Sequence, residues 1–347
     1  MKVSRQVVLR RRPRGLPLAE DFEIVSRQMP ALAAGEATVR TLYCSLDPAM
    51  RRWMDDDSYR DPIPLGAPVR CLCLGQIEES RSQKLRPGDL LLAMGTVGQH
   101  SILSEGQWFS RFEAGGDWPL SRYLSLFGLN AMTAYFGLLD IGRPRPGETV
   151  LVSGAAGSVG SLVGQIARIS GCHTVGVAGG VRKCRRLIEE FSFDAAIDYT
   201  NRSLAQLTAD VRAACPRGVD IYFDNVGGVV LDAALAAIND RARLVECGMI
   251  SQYNVSERGA GPSNIWQIIA KCATMRGFLG REYLDRFPEA IAQLQSWASE
   301  GRIHAREHIE AGLERFLEAF LRLFDGTNEG KLMLKLGDPD QGNFSGA

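Results

Sequence analysis

The chain is poor in histidine, has no C-x-x-C pair and carries no net charge. Only four of its 347 residues are histidine (His100, His173, His304 and His308), and none is spaced with cysteines or carboxylates as a metal set would be. His304 and His308 stand four apart, but they flank Ala-Arg-Glu in a segment that reads as a loop entering a strand, which argues against zinc there. Eight cysteines, at positions 44, 71, 73, 172, 184, 215, 247 and 272, fall mostly in apolar runs and read as reduced, small hydrophobes of a cytoplasmic protein. Forty basic and forty acidic residues cancel, so no nucleic-acid or membrane-surface partner is expected. The Arg10–Arg14 cluster, around Pro13 and Gly15, reads as solvated charge in a surface turn. No apolar signal core follows the basic N-terminus, and no run is expected to approach a membrane span in length.

Composition is otherwise that of a globular protein, 45% hydrophobic and 23% charged, and the length suits two domains. Up to about residue 125, short strand signals alternate with Pro and Gly: Val39–Leu46, Gln76–Glu79, Leu90–Ala93 after the Arg86-Pro-Gly-Asp89 turn, and His100–Leu103. This is the texture of a β-rich, barrel-like unit. Asp55–Pro62 reads as a polar, mobile loop. From about 126 the texture becomes alternating strands and helices. Strands are predicted near 149–153, 173–178, 195–198, 219–224, 242–247 and 273–278. Helices are predicted near 131–140, 158–170, 181–192, 203–214, 228–238 and 288–299. Such alternation implies a doubly wound parallel sheet. The spacing of Leu313, Phe316, Leu317, Phe320, Leu321 and Phe324 predicts a helix with a core face. Lys331–Leu336 reads as a strand rejoining the first unit. The expected division is 1–125 and 306–347 for the β-rich substrate domain and 126–305 for the nucleotide domain, with the active site in the cleft between them.

The richest signal is Val150–Gly160. An apolar strand run ends at Ser153, glycines follow at 154, 157 and 160, and a helical pattern begins (Val159, Val163, Ile166, Ala167). A strand turning into a helix through glycines offers backbone N–H groups and a helix N-terminus to a pyrophosphate. Ala155 fills the first glycine slot of G-x-G-x-x-G, and a plain tight turn is the competing reading. NAD-binding folds place a carboxylate after the second strand. Here Gly179-Gly180-Val181-Arg182-Lys183 offers two cations instead, which suits the 2′-phosphate of NADPH.

These motifs, with Ser45–Arg51 (Ser-Leu-Asp-Pro-Ala-Met-Arg), Asn130–Leu138, Phe223–Gly228 and Cys247–Tyr253, resemble the medium-chain dehydrogenase/reductase superfamily. Within it the chain is similar to the zinc-independent, NADPH-dependent alkenal/one oxidoreductases, which include prostaglandin reductases, leukotriene B4 dehydrogenases and plant double-bond reductases. The resemblance implies a Rossmann-type sheet inserted into a GroES-like β-rich barrel, and a homodimer. It implies cofactor contacts at Thr133, Gly157, Ser158, Val159, Gly160, Gly180, Lys183, Tyr199, Asn225, Cys247, Gly248, Met249, Ile250, Ser251, Tyr253, Phe278, Leu279 and Asn328. Zinc alcohol dehydrogenases hold their metal with a Cys and a Gly-His-Glu element. In this chain Asp47 takes the cysteine position, Cys44 is offset, Gly-His-Glu is missing, and so is a four-cysteine structural lobe; no metal is expected. Where the family usually has a pocket tyrosine, this chain has Ala49, and Trp53 or Tyr59 would reshape the pocket; plain packing is the competing reading for each.

The implied reaction is hydride transfer to the β-carbon of an enone or alkenal. Tyr253 is the candidate donor to the oxyanion, because a phenol stays protonated at neutral pH; the cofactor ribose hydroxyl could share that role, and cofactor packing is the competing reading. A quinone reductase of the same fold and a non-catalytic NADPH-binding protein are the rival functions.

Overall fold

The computed structural model describes residues 2–112, 118–255 and 261–339. It divides into two compact units, Met1–Leu124 with Glu307–Ala347, and Ser125–Arg306. The first unit begins with the strands β1 (Val3–Leu9), β2 (Phe22–Gln28), β3 (Glu36–Ser45), β4 (Arg70–Ser80), β5 (Leu90–Thr96), β6 (His100–Ser104) and β7 (Phe109–Phe112). The second unit holds β8 (Thr149–Ser153), β9 (His173–Ala178), β10 (Ala195–Asp198), β11 (Val219–Asp224), β12 (Ile238–Glu246) and β13 (Thr274–Gly277). The chain then returns to the first unit as β14 (Glu307–Ala311) and β15 (Lys331–Lys335).

In the first unit β1 and β2 form an antiparallel pair, and a seven-stranded sheet runs β14-β15-β3-β4-β5-β7 with β6 joined to β3. Its core gathers Val7, Leu46, Met50 and Trp53 with Phe316, Phe320, Leu332 and Leu334. Helix Phe316–Asp325 buries Phe316, Ala319 and Phe320, so its apolar stripe is core, as its spacing predicts. The acidic 55–62 segment is laced by ion pairs: Arg51 and Arg52 hold Asp55, Arg52 also holds Asp57, and Arg12 holds Asp56. Arg12 departs from the expectation of solvated charge. Its guanidinium also donates to the carbonyls of Met54 (2.6 Å) and Ile63 (3.1 Å) and brackets this loop.

The second unit carries a six-stranded parallel sheet ordered β10-β9-β8-β11-β12-β13. From β8 the chain winds one way through β9 and β10, then crosses back to β11 and continues the other way. The switch point therefore lies between β8 and β11, where such sheets bind ligands beyond their C-terminal ends. All five residues of β8 are buried, as a central parallel strand requires. Helix Ser158–Ile169 covers it with Leu162, Val163, Ile166 and Ala167.

One expectation needs correcting. The helical run Leu120–Gly142 is 23 residues long and apolar enough, by length and composition, to cross a membrane. The reason lies in packing: 72% of its most apolar window is buried inside the protein, as in a core helix.

Candidate functional site

At the switch point, β8 and β11 are tied together by side chains. The Ser153 hydroxyl donates to Asp224 (2.6 Å) and accepts from the Asn225 N–H (2.8 Å), while the Asn225 amide donates to the Ser153 carbonyl (2.7 Å). Asp224 is fully buried. It also accepts from the Tyr222 hydroxyl (2.8 Å) and the N–H groups of Val226 (2.9 Å) and Gly227 (3.0 Å). These donors satisfy the buried carboxylate. It fixes the turn that carries Asn225.

The glycine loop leaves β8 on the same side. A Cβ on Gly160 would lie 2.5 Å from the Gly154 carbonyl oxygen and 2.7 Å from the Ala155 Cα, so only glycine lets the helix start press against the loop. Gly157 is the N-cap, extended, with no side-chain cap. The first-turn N–H groups of Ser158, Val159 and Gly160 thus belong to an uncapped helix terminus, the arrangement that receives a phosphate. Ala155 in the first glycine slot is buried, and its N–H bonds the Val177 carbonyl (3.1 Å).

Beyond β9, Gly180 caps helix Val181–Glu189 with φ +88°, in the region that favours glycine. Its N–H donates to Asp198 (2.8 Å), which also accepts from the Thr200 N–H (2.9 Å). Burial alone would raise Asp198, but the bonds from Thr200 and Gly180 prevail and hold its carboxyl below the usual range. The Tyr199 ring lies against Gly179, and burial, then Asp198, pushes its phenol up. Lys183 is half-buried in the first helical turn, with Arg182 exposed beside it.

A third segment closes the group. The N–H groups of Cys247 and Gly248 both donate to the Asp224 carbonyl (3.0 and 3.1 Å), and those of Ile250 and Ser251 to the carbonyls of Asn225 and Val226. Met249 packs on Gly227 and Ser251 on Gly228. Burial, and next Asp224 and Glu246, push the Cys247 thiol up to about 12, so it stays neutral. Tyr253 folds back over this loop: its hydroxyl accepts from the Met249 N–H (3.2 Å) and sits above Gly248. A phenol oxygen can both accept and donate a hydrogen bond.

Thr133 and the 278–280 segment also meet, for the Thr133 hydroxyl lies beside Gly280 and donates to the Leu129 carbonyl (2.8 Å). The Phe278 side chain is buried among Phe223, Tyr283 and Gly137; only its backbone is left to meet a ligand. The N–H of Leu279 is bonded to Glu282 (3.0 Å).

In the first unit, Trp53 Nε1–H donates to the Tyr59 hydroxyl (2.8 Å), the Arg60 guanidinium covers the Trp53 ring at 4.8 Å, and the Trp53 N–H bonds the Ala49 carbonyl (3.3 Å). The three predicted pocket residues are therefore neighbours, with Trp53 buried in the core and Tyr59 48% exposed. Asp47 is held by the buried Lys331 ammonium (2.6 Å) and the Ser45 hydroxyl. Asn328 bonds the Gly330 carbonyl (3.3 Å) and the Arg322 carbonyl (3.3 Å) within this unit. His304 and His308 have different partners, Glu190 and Glu310, and make no pair.

Sequence reasoning missed Asp224, Asp198, Glu246 and the Lys331–Asp47 pair. The available signal was a charged residue inside or ending an otherwise apolar strand, as in Val-Asp-Ile-Tyr-Phe-Asp224.

A glycine loop at a switch point, with Lys183 opening the helix beyond β9, is the arrangement of a dinucleotide-dependent oxidoreductase. Comparison with known proteins agrees. Residues 5–110 match the N-terminal domain of oxidoreductase family and residues 158–296 the zinc-binding dehydrogenase family. The chain is 37% identical to the NADPH-dependent curcumin reductase of Escherichia coli, covering 97% of this chain and 98% of that one. It is 36% identical to the NADP(+)-dependent 2-alkenal reductase of Nicotiana tabacum, covering 94% and 96%. It is also similar to the crystal structure of CurA from Vibrio vulnificus in complex with NADPH (TM-score 0.90, 37% identity, 96% and 100% covered). The chain belongs to the zinc-independent, NADP-dependent alkenal/one oxidoreductases of the medium-chain dehydrogenase/reductase superfamily.

Proposed function

We propose that this chain reduces the C=C bond of α,β-unsaturated ketones and aldehydes with NADPH, without a metal. The observation that carries the reading is the shared edge of the glycine loop, Asn225 and the 247–253 loop, which puts Tyr253 among the groups suited to the cofactor. When bound, NADPH supplies the hydride. The protein's part is to bind, orient and stabilise charge. Gly157–Gly160 hold the pyrophosphate by their N–H groups. Gly180, Lys183 and Tyr199 take the 2′-phosphate, Lys183 as the charged partner. Thr133, Asn225, the 247–251 backbone, Phe278, Leu279 and Asn328 are assigned to the rest of the cofactor. The Tyr253 hydroxyl donates a hydrogen bond to the substrate oxygen as the enolate forms, and the α-carbon takes its proton from solvent. Ala49, Trp53 and Tyr59 are assigned to substrate selection, with Ala49 leaving more room than a tyrosine would.

The relatives named for curcumin and for 2-alkenals support the enone reading over a quinone reductase. NADPH oxidation measured against an enone, an alkenal and a quinone tests it. Rates on the first two that exceed the quinone rate are expected; turnover of the quinone alone, or of nothing, contradicts the assignment.

We also assign a homodimer through the outer edge of the second sheet. Among the described residues β13 pairs only with β12, and Ile265, Trp266 and Ile269 near it are 46%, 57% and 83% exposed; such an edge favours a covering partner. Light scattering that gives a monomer at micromolar concentration contradicts this. Eight cysteines in the free thiol state support placement in the reducing cytoplasm.

A further inference from the structure

The first unit contains a cluster that the proposed reaction does not use. Cys44, Cys71 and Cys73 are all buried, and their three Sγ atoms lie within 4.8 Å of one another. Strand geometry brings them together. Cys71 and Cys73 are two apart on β4 and share one face of the sheet, with their sulfurs 3.4 Å apart. Cys44 on β3 stands directly opposite Cys73 in the antiparallel register. All three belong to the apolar core formed with Val7, Leu46, Trp53 and Leu332. The Thr96 carbonyl lies 3.5 Å from the Cys73 sulfur and 3.8 Å from that of Cys44, and the Thr41 hydroxyl also faces Cys73.

Three convergent thiols form a soft, three-coordinate donor set. Size alone admits several occupants: a centre with metal–sulfur bonds of about 2.3 Å needs sulfurs about 4 Å apart, a small adjustment of this cluster. Charge decides among them. A divalent ion on three thiolates leaves a net negative charge in an apolar core, which is costly, and the buried ammonium of Lys331, next to the core residue Leu332, is already paired with Asp47. A trivalent centre on three thiolates is neutral.

We infer that Cys44, Cys71 and Cys73 form a binding site for trivalent arsenic, taken up as arsenous acid, or for a thiophile of the same valence. The step is a condensation without redox change. Three S–H bonds and three As–OH bonds break, three As–S bonds form, and three waters leave: As(OH)3 + 3 RSH → As(SR)3 + 3 H2O. Burial makes loading slow and release slower. The site is independent of the proposed reductase activity.

The test incubates the reduced full-length protein with arsenite, removes the excess and measures arsenic per chain by plasma mass spectrometry. One arsenic per chain is expected. Alkylation of the loaded chain should show the thiols of Cys44, Cys71 and Cys73 protected and those of the other five reactive on unfolding. Cys71→Ala should lower retention at least tenfold while Cys215→Ala, a buried lone thiol, retains it. The protection pattern of the wild-type chain stands even if Cys71→Ala folds poorly. Failure to retain arsenic, or protection mapping to other cysteines, overturns the site. Retention of zinc as tight as that of arsenite overturns the charge argument that selects its occupant.

Discussion

Asp224 and Glu246 stand beside each other in register on the parallel strands β11 and β12, one saturated with hydrogen-bond donors and the other with a buried Oε1 that has no partner. Burial, and next the charge of Asp224, push Glu246 up to about 8 from an ordinary 4.5. The native state therefore binds a proton here between about pH 4.5 and 8 that the unfolded chain has released. The contribution of Glu246 to stability is fully present below that window and is lost as pH rises through it. Glu246→Gln removes the titration and gives Asp224 an amide donor. The variant is expected to be more stable than the parent above neutral pH, by about 1–3 kcal/mol, and to lose the advantage near pH 4.5. Thermal melts across that range check it; a difference that does not vary with pH contradicts the assignment.

Gly160 is the glycine of the loop with the least room. In Gly160→Ala the new methyl meets the Gly154 carbonyl and the Ala155 backbone, neither of which can rotate away, so the loop must shift. Overpacking of this kind costs about 1–3 kcal/mol. NADPH KM is expected to rise roughly tenfold or more with the secondary structure retained. Circular dichroism and cofactor titration check it, and unchanged KM contradicts the loop's role.

Lys183→Ala tests cofactor choice. A charge-assisted contact contributes about 1.5–3 kcal/mol, roughly ten- to a hundredfold in affinity. KM for NADPH should rise by that factor while KM for NADH hardly changes. Equal losses for both cofactors would remove Lys183 from the 2′-phosphate site.

Tyr253→Phe keeps the ring over Gly248 and removes only the hydroxyl. The expected result is a lower kcat on an enone with NADPH affinity nearly intact. Loss of one oxyanion donor costs about 10²–10³ in rate in other enzymes, an upper bound here because the cofactor ribose hydroxyl can compensate. A wild-type rate across several enones would make Tyr253 a packing residue; collapse of NADPH binding would make it part of the cofactor site alone.

Much of the second unit is legible because its parallel strands are short, apolar and closed by glycine or helix signals. β9, β10 and β11 fall at their predicted limits, and Ser158–Ile169 begins where the glycines end. The β1–β2 pair and β7 were not legible: residues such as Glu23 and Arg27 break the apolar alternation by which strands are read, and it is the pairing partners that make these segments strands. The loop ligands at 157–160 and Lys183 could be proposed from local pattern. Lys331 could not, because its partner Asp47 is brought near only by the fold; Asp224 and Asp198 join local donors to distant ones, Ser153 and Gly180, and only the fold supplies the second kind. The Leu120–Gly142 run shows the converse: its composition does not distinguish a core helix from a spanning one, and burial does.

Hydride delivery to the β-carbon of a conjugated carbonyl is read out by turnover of an enone with NADPH deuterated at the transferable position, followed by isotope mapping of the product. A saturated ketone with one deuterium on the β-carbon is predicted. Deuterium on the carbinol carbon of an allylic alcohol, or no transfer to any enone or alkenal, would contradict it.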